Sequence, residues 1–121
     1  MKKLTYLFIP LLALLFLTPA FADNNKKAKA YYFAAEEAYN NKQYESALNG
    51  IKKTEELLGK SNAVLEGLRV KVLFELKDYQ AAKQALDKFY TYKASPELEK
   101  DIAPYLLKID EAFTKLKREN S

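Results

Sequence analysis

Beyond position 22, apolar side chains recur three and four residues apart almost without interruption, the spacing that gathers them on one face of an α-helix. No stretch alternates apolar and polar with a period of two, so the pattern predicts an all-α protein of about five helices. A first helix over 25–41 carries Tyr31, Ala34, Ala35 and Ala38 as its apolar stripe. Asn40-Asn41-Lys42-Gln43 ends it, because asparagine competes for its own backbone and favours turns. A second helix over 44–58 repeats the stripe with Tyr44, Ala47, Leu48, Ile51 and Leu58, and Gly59 is suited to cap its end. Ser61 or Asn62 can open the third, 63–76, which is apolar nearly all round: Val64, Leu65, Leu68, Val70, Val72, Leu73, Phe74 and Leu76. Such a helix is expected to be flanked on more than one side. The fourth, 79–93, shows Tyr79, Ala82, Leu86 and Phe89. Ser95 and Pro96 then form a start signal for a last helix over 96–118, with Leu98, Ile102, Leu106, Ile109, Phe113 and Leu116 in step. Pro104 is expected to kink that helix or to split off its first two turns.

The stretch KQYESAL at 42–48 returns as KDYQAAK at 77–83, so that Tyr44 matches Tyr79 and Ala47 matches Ala82. At the same offset Phe33 pairs with Leu68, Ala35 with Val70, Tyr39 with Phe74 and Ile51 with Leu86. Such self-similarity marks an array of helical hairpins, each burying its apolar face against its neighbours. On these residues the chain resembles a tetratricopeptide repeat (TPR) protein. The small residue of the first helix of a repeat matches Ala35, the aromatic that opens the second helix matches Tyr44 and Tyr79, the alanine after it Ala47 and Ala82, and the next large apolar position Ile51 and Leu86. The likeness implies one repeat at about 28–61, a second at about 62–95, and a capping helix at about 96–118. Three departures stand out: Ala38 replaces the usual aromatic of the first helix, Lys42-Gln43 and Lys77-Asp78 replace the turn glycine, and Gly59 and Ala94 replace the closing proline.

The opening 22 residues are set apart from this pattern. Lys2 and Lys3, an apolar run from Leu4 to Leu17 and the small-x-small Ala20-Phe21-Ala22 have the form of a secretory signal peptide, with cleavage expected before Asp23. The run is shorter than the roughly 20 residues that span a bilayer. The expected product is therefore a periplasmic or secreted protein without stable membrane insertion, its 23–121 portion forming one domain. Taking Lys2 and Lys3 from the 20 basic residues leaves 18 against 16 acidic ones, and the lysines alternate with glutamates along the chain. Nothing in that balance favours nucleic acid as a partner. The chain has no cysteine, so packing must supply its stability.

Histidine, cysteine and tryptophan are all absent, which removes the commonest general base, the thiol nucleophile and most zinc-ligand sets. Adjacent acids such as Glu36-Glu37, Glu55-Glu56 and Asp110-Glu111 point about 100° apart on a helix and suit solvated faces better than a shared ion. Four serines beyond the signal lack a base, and three glycines make no phosphate-cradling loop. The expectation is a protein that is not an enzyme, with no cofactor and no metal site. Tyrosine is the richer signal, since eight of the nine lie beyond the signal. In TPR proteins a concave groove is lined by one part of each repeat's first helix. The resemblance places Tyr32, Glu36, Tyr39 and Asn40 there, followed by Lys71, Phe74 and Glu75. Tyrosine beside lysine and glutamate suits the capture of a protein or peptide. A small ligand or an envelope glycan held between tyrosine-lined helices is the alternative, and a homo-oligomer is a third possibility because two repeats leave a face unmet.

Overall fold

The computed structural model describes residues 23–120, so the expected signal segment lies outside the described residues. Among the described residues the chain is all-helical, with α1 at 23–40, α2 at Tyr44–Leu58, α3 at Ala63–Glu75, α4 at Tyr79–Thr91 and α5 at Pro96–Glu119. The local sequence explains the starts. Asn62 accepts from the Leu65 N–H at 2.9 Å, Asp78 from Ala81 at 3.2 Å, and Ser95 from Leu98 at 3.2 Å with Pro96 in the first turn. Each cap satisfies a backbone donor that the helix itself leaves unpaired. Gly59 ends α2 in the left-handed region at φ 74°, its N–H bonded to the Glu55 carbonyl at 2.8 Å.

The two short turns within the hairpins are copies of one another. Lys42 at φ 62° and Lys77 at φ 63° both adopt the left-handed conformation, which L-residues with a Cβ avoid. The Gln43 N–H reaches the Ala38 carbonyl at 2.8 Å and Lys42 reaches Tyr39 at 3.0 Å; Asp78 reaches Leu73 and Lys77 reaches Phe74, each at 3.0 Å. This is the paired 6→1 and 5→2 bonding that closes a helix around a left-handed residue, a position glycine usually takes. Exchanging Lys42 and Lys77 together for glycine removes that strain and adds some freedom to the unfolded chain. We expect a net stabilisation of about 1 kcal/mol, read as a higher urea midpoint.

Packing divides the core in two. Ala35, Ala38, Ala47, Ile51, Leu65, Leu68 and Val72 join α1, α2 and α3; Val70, Leu73, Ala82, Ala85, Leu86, Phe89, Ile102 and Ile109 join α3, α4 and α5. Leu48 touches both. α3 is shared, as its composition predicts, and buries Leu65, Glu66, Gly67, Leu68, Val70, Val72 and Leu73. The result is an inner layer of α1, α3 and α5 with α2 and α4 behind it. Small residues set the crossings: a Cβ on Gly50 would lie 2.8 Å from the Ala35 Cβ, and Ala82 is fully buried. Ala82→Leu is expected to cost roughly 1 to 3 kcal/mol by overpacking, whereas a change at exposed Lys83 stays within about 0.5 kcal/mol. Equal melting of the two variants would contradict the assigned register.

The stripe assignments need correction at both ends. Tyr31 and Ala34, expected in the core, are exposed; α1 buries Ala35 and Ala38 as expected, adds Ala28, and half-buries Tyr32 and Tyr39. The helix is turned because it must meet α2 through Ala35 and also face the inner layer. In α5 Leu106 and Leu116 are exposed, while Tyr105 packs beside Ile102 and Ile109. Val64 is also exposed. Pro104 does not split α5, which runs unbroken across it, anchored on either side by Ile102 and Ile109.

Candidate functional site

The inner layer brings together the aromatic and charged side chains singled out above. Tyr39 of α1 lies tilted against Tyr44, ring centroids 5.9 Å apart, and its hydroxyl is 3.5 Å from that of Tyr105 of α5. Lys71 of α3 stands with its Nζ 5.9 Å from the Tyr39 ring centroid and forms an ion pair with Asp101 of α5. Phe74 is held between Tyr79 and Tyr105, each at 5.5 Å, and the Lys108 Nζ sits 4.8 Å from the Tyr105 centroid. Glu36 lies beside Tyr32 and Glu75 near Tyr39, and both are exposed, as is Asn40, which follows Tyr39 in the chain. Tyr39 and Lys71 therefore meet directly, Phe74 joins them through Tyr105, and Tyr32 is linked to Glu36. Three further contributors, Asp101, Tyr105 and Lys108, come from α5 and were not foreseen. Tyr105 occupies the same stripe as Ile102 and Ile109, which was the available signal; Asp101 and Lys108 could be placed only once α5 was known to lie against α3.

The cleft expected between α1 and α3 is thus shared with α5, and the aromatics in it are half-buried. Burial has electrostatic consequences. Loss of solvent, with the charge and hydrogen bond of Glu36 and the more distant charge of Asp101, pushes the Tyr32 hydroxyl up to about 12. Burial, then the hydrogen bond and charge of Tyr105 and the charge of Glu75, hold Tyr39 above its ordinary value against the opposing pull of Lys71. A raised tyrosine pKa means that the fold favours the neutral phenol. Stability from this source is complete below the unfolded value of about 10 and declines as pH rises past it. We expect phenolate absorbance to show Tyr32 titrating near 12, and Tyr32→Phe to lessen alkaline unfolding. Titration of every tyrosine at its ordinary value would contradict the packing.

A second polar cluster lies on the opposite side of α3. Glu66 is fully buried, its Oε2 accepting from Ser61 and from Arg69, which also bonds Glu55 at 2.6 Å. Burial works against the Arg69 charge, but hydrogen bonds and charge from Glu55 and Glu66 prevail and hold its pKa above the ordinary value. Glu66 was not singled out from the sequence, although an acid three residues before an arginine inside the most apolar helix was a readable signal. A pocket of about 390 Å³ opens at the start of α3, lined by Ala28, Tyr32, Leu58, Val64 and Leu65 among others. Among the described residues no three acidic side chains form a group able to hold a metal, and no helix is long and apolar enough to cross a membrane. The inner cluster offers aromatic faces, one cation held by a carboxylate and exposed acids at its border, which is chemistry for recognition. No protein-family model matches the chain, and comparison with curated proteins and with solved structures gives no match.

Proposed function

We propose that the protein is an exported, non-enzymatic scaffold of TPR type whose inner layer binds another protein or a peptide. The observation that carries this reading is the meeting of Tyr39 and Tyr105, 66 residues apart, with Lys71 and Phe74 between them on one face. Two hairpins joined by matching left-handed turns, with alternate helices in an inner layer, support the repeat assignment. Half-buried tyrosines are held by their neighbours, so they lose little freedom on binding and suit the role of anchors. Glu36, Glu75 and Asp101 outnumber Lys71 and Lys108 around them, which favours a partner segment carrying basic and aromatic side chains. The test is affinity capture from the exported fraction, comparing the native protein with one carrying Glu36→Lys and Glu75→Lys. Both sites are exposed, so this variant is expected to fold normally and to lose the partner; undiminished capture would contradict the proposal.

The pocket at the start of α3 favours a second reading, a small apolar ligand seated beside Tyr32. Its volume of about 390 Å³ lies within the range of small-molecule sites. A rise in melting temperature with candidate glycans or amphiphiles, abolished by Leu58→Trp in the pocket, would favour it over the first.

A further inference from the structure

The outward side of α5 is an exposed apolar feature that partner recognition on the inner layer does not use. α3, with helices on either side, is buried nearly all round, whereas α5 packs mainly on α3 and α4, meets α1 through Tyr105 and Tyr39, and fully buries only Ile102 and Ile109. Leu106 is 46% exposed and Leu107 64%, side by side near the middle of the helix. Spacings of three and four place Glu99, Ala103, Leu106, Leu107, Asp110 and Lys117 along one outward stripe, all exposed. Glu99 and Lys117 are 18 residues apart, which is five full turns at 3.6 residues per turn, so they mark the two ends of a single line. With 24 residues, α5 is roughly 36 Å long, against about 20 Å for the 13-residue α3 and α4 on which it lies. Much of its length has no helix beside it.

The charge along α5 identifies what fits. Its first half, 96–107, holds Glu97, Glu99 and Asp101 against Lys100, and its second half, 108–119, holds Lys108, Lys115, Lys117 and Arg118 against Asp110, Glu111 and Glu119. The helix is acidic at its start and basic toward its end. A second α5 laid antiparallel opposes these ends favourably at both positions of a two-fold pair, whereas a parallel pairing opposes like with like. We infer that the protein forms a two-fold dimer through antiparallel pairing of α5. With the axis beside Leu106 and Leu107, the four leucines pack across it. Each Glu99 then comes opposite the turn formed by residues 114–117 of the second copy, within reach of its Lys117. Each Asp110 faces the other copy's Ala103, one turn from its Lys100. Each α5 thus supplies the flanking helix that the other lacks. This arrangement uses the side of α5 turned away from Tyr39 and Lys71, so it stands or falls independently of the proposed partner site.

A single pair of helices forms a small interface, of the class that gives weak, concentration-dependent association. Sedimentation velocity on the protein as the cell processes it, from about 10 μM to about 1 mM, is expected to show a monomer passing to a dimer. Leu106→Glu with Leu107→Glu should abolish the dimer while leaving the melting temperature measured at low concentration unchanged. Glu99→Lys alone should weaken dimerisation about tenfold, and Glu99→Lys with Lys117→Glu should restore it, because the swap recreates both ion pairs with their signs exchanged. A monomer at every concentration overturns the inference. So does a dimer that survives the leucine changes, and so does a charge swap that fails to restore what the single change removed.

Discussion

Arg69→Met is expected to destabilise the protein by about 3 to 5 kcal/mol. Glu66 is fully buried, with Oε2 bonded to Ser61 and Arg69, and its Oε1 has no hydrogen-bond partner among the described residues. Removing the guanidinium leaves a carboxylate in an apolar helix with one hydroxyl to oppose its desolvation. Glu55, 41% exposed, returns to water at little cost. The complementary change separates this mechanism from simple loss of packing. Glu66→Leu removes the buried charge and its unpaired oxygen together, so Arg69→Met with Glu66→Leu should recover most of the stability. Urea midpoints of the four proteins test this. A single Arg69 variant that loses less than about 1 kcal/mol, or a double variant no better than the single, would show that the cluster is solvated and makes no structural demand.

The second large effect concerns partner capture. Tyr39→Ala with Lys71→Glu removes the ring at the centre of the inner layer and reverses the α3 cation beside it, placing a carboxylate next to Asp101. Anchors of this kind typically contribute 2 kcal/mol or more to an interface, so affinity should fall at least about thirtyfold. Because Lys71 also ties α3 to α5, part of that loss can arrive through a loosened α5. The melting temperature must therefore be measured beside the affinity. Glu36→Lys with Glu75→Lys, exposed and outside the Tyr39, Lys71 and Phe74 contacts, supplies the comparison in which affinity moves and melting does not.

The fold was readable from the sequence where a rule is local. Periodicity located the helices, with α2 matching its expected limits at both ends, and the offset of 35 residues anticipated that the turns at Lys42 and Lys77 would match. Ala47 and Ala82, matched to the alanine of each repeat, are both fully buried. What remained hidden depended on azimuth. Alanine is small enough to lie on either side of an interface, so an α1 rich in Ala and Tyr left its stripe free to turn, and Tyr31 was exchanged for Tyr32 and Tyr39. The same ambiguity exchanged Leu106 for Tyr105 in α5. The site inherited these shifts. Tyr39, Lys71 and Phe74 were found together, but Asp101 and Tyr105 reach them only through the way a distant helix folds back, which no spacing along the chain encodes.

The most direct measurement of the central claim is site-specific photo-crosslinking in the native exported fraction, with the reactive residue placed at Glu75 on the inner layer or at Lys83 on the outer. Both positions are exposed and tolerate replacement, so neither probe should disturb the fold. Recognition by the inner layer predicts a discrete adduct with one partner from position 75, lost in the Tyr39→Ala and Lys71→Glu background, and none from position 83. Adducts from position 83 alone, or equally from both, would contradict recognition by the inner layer.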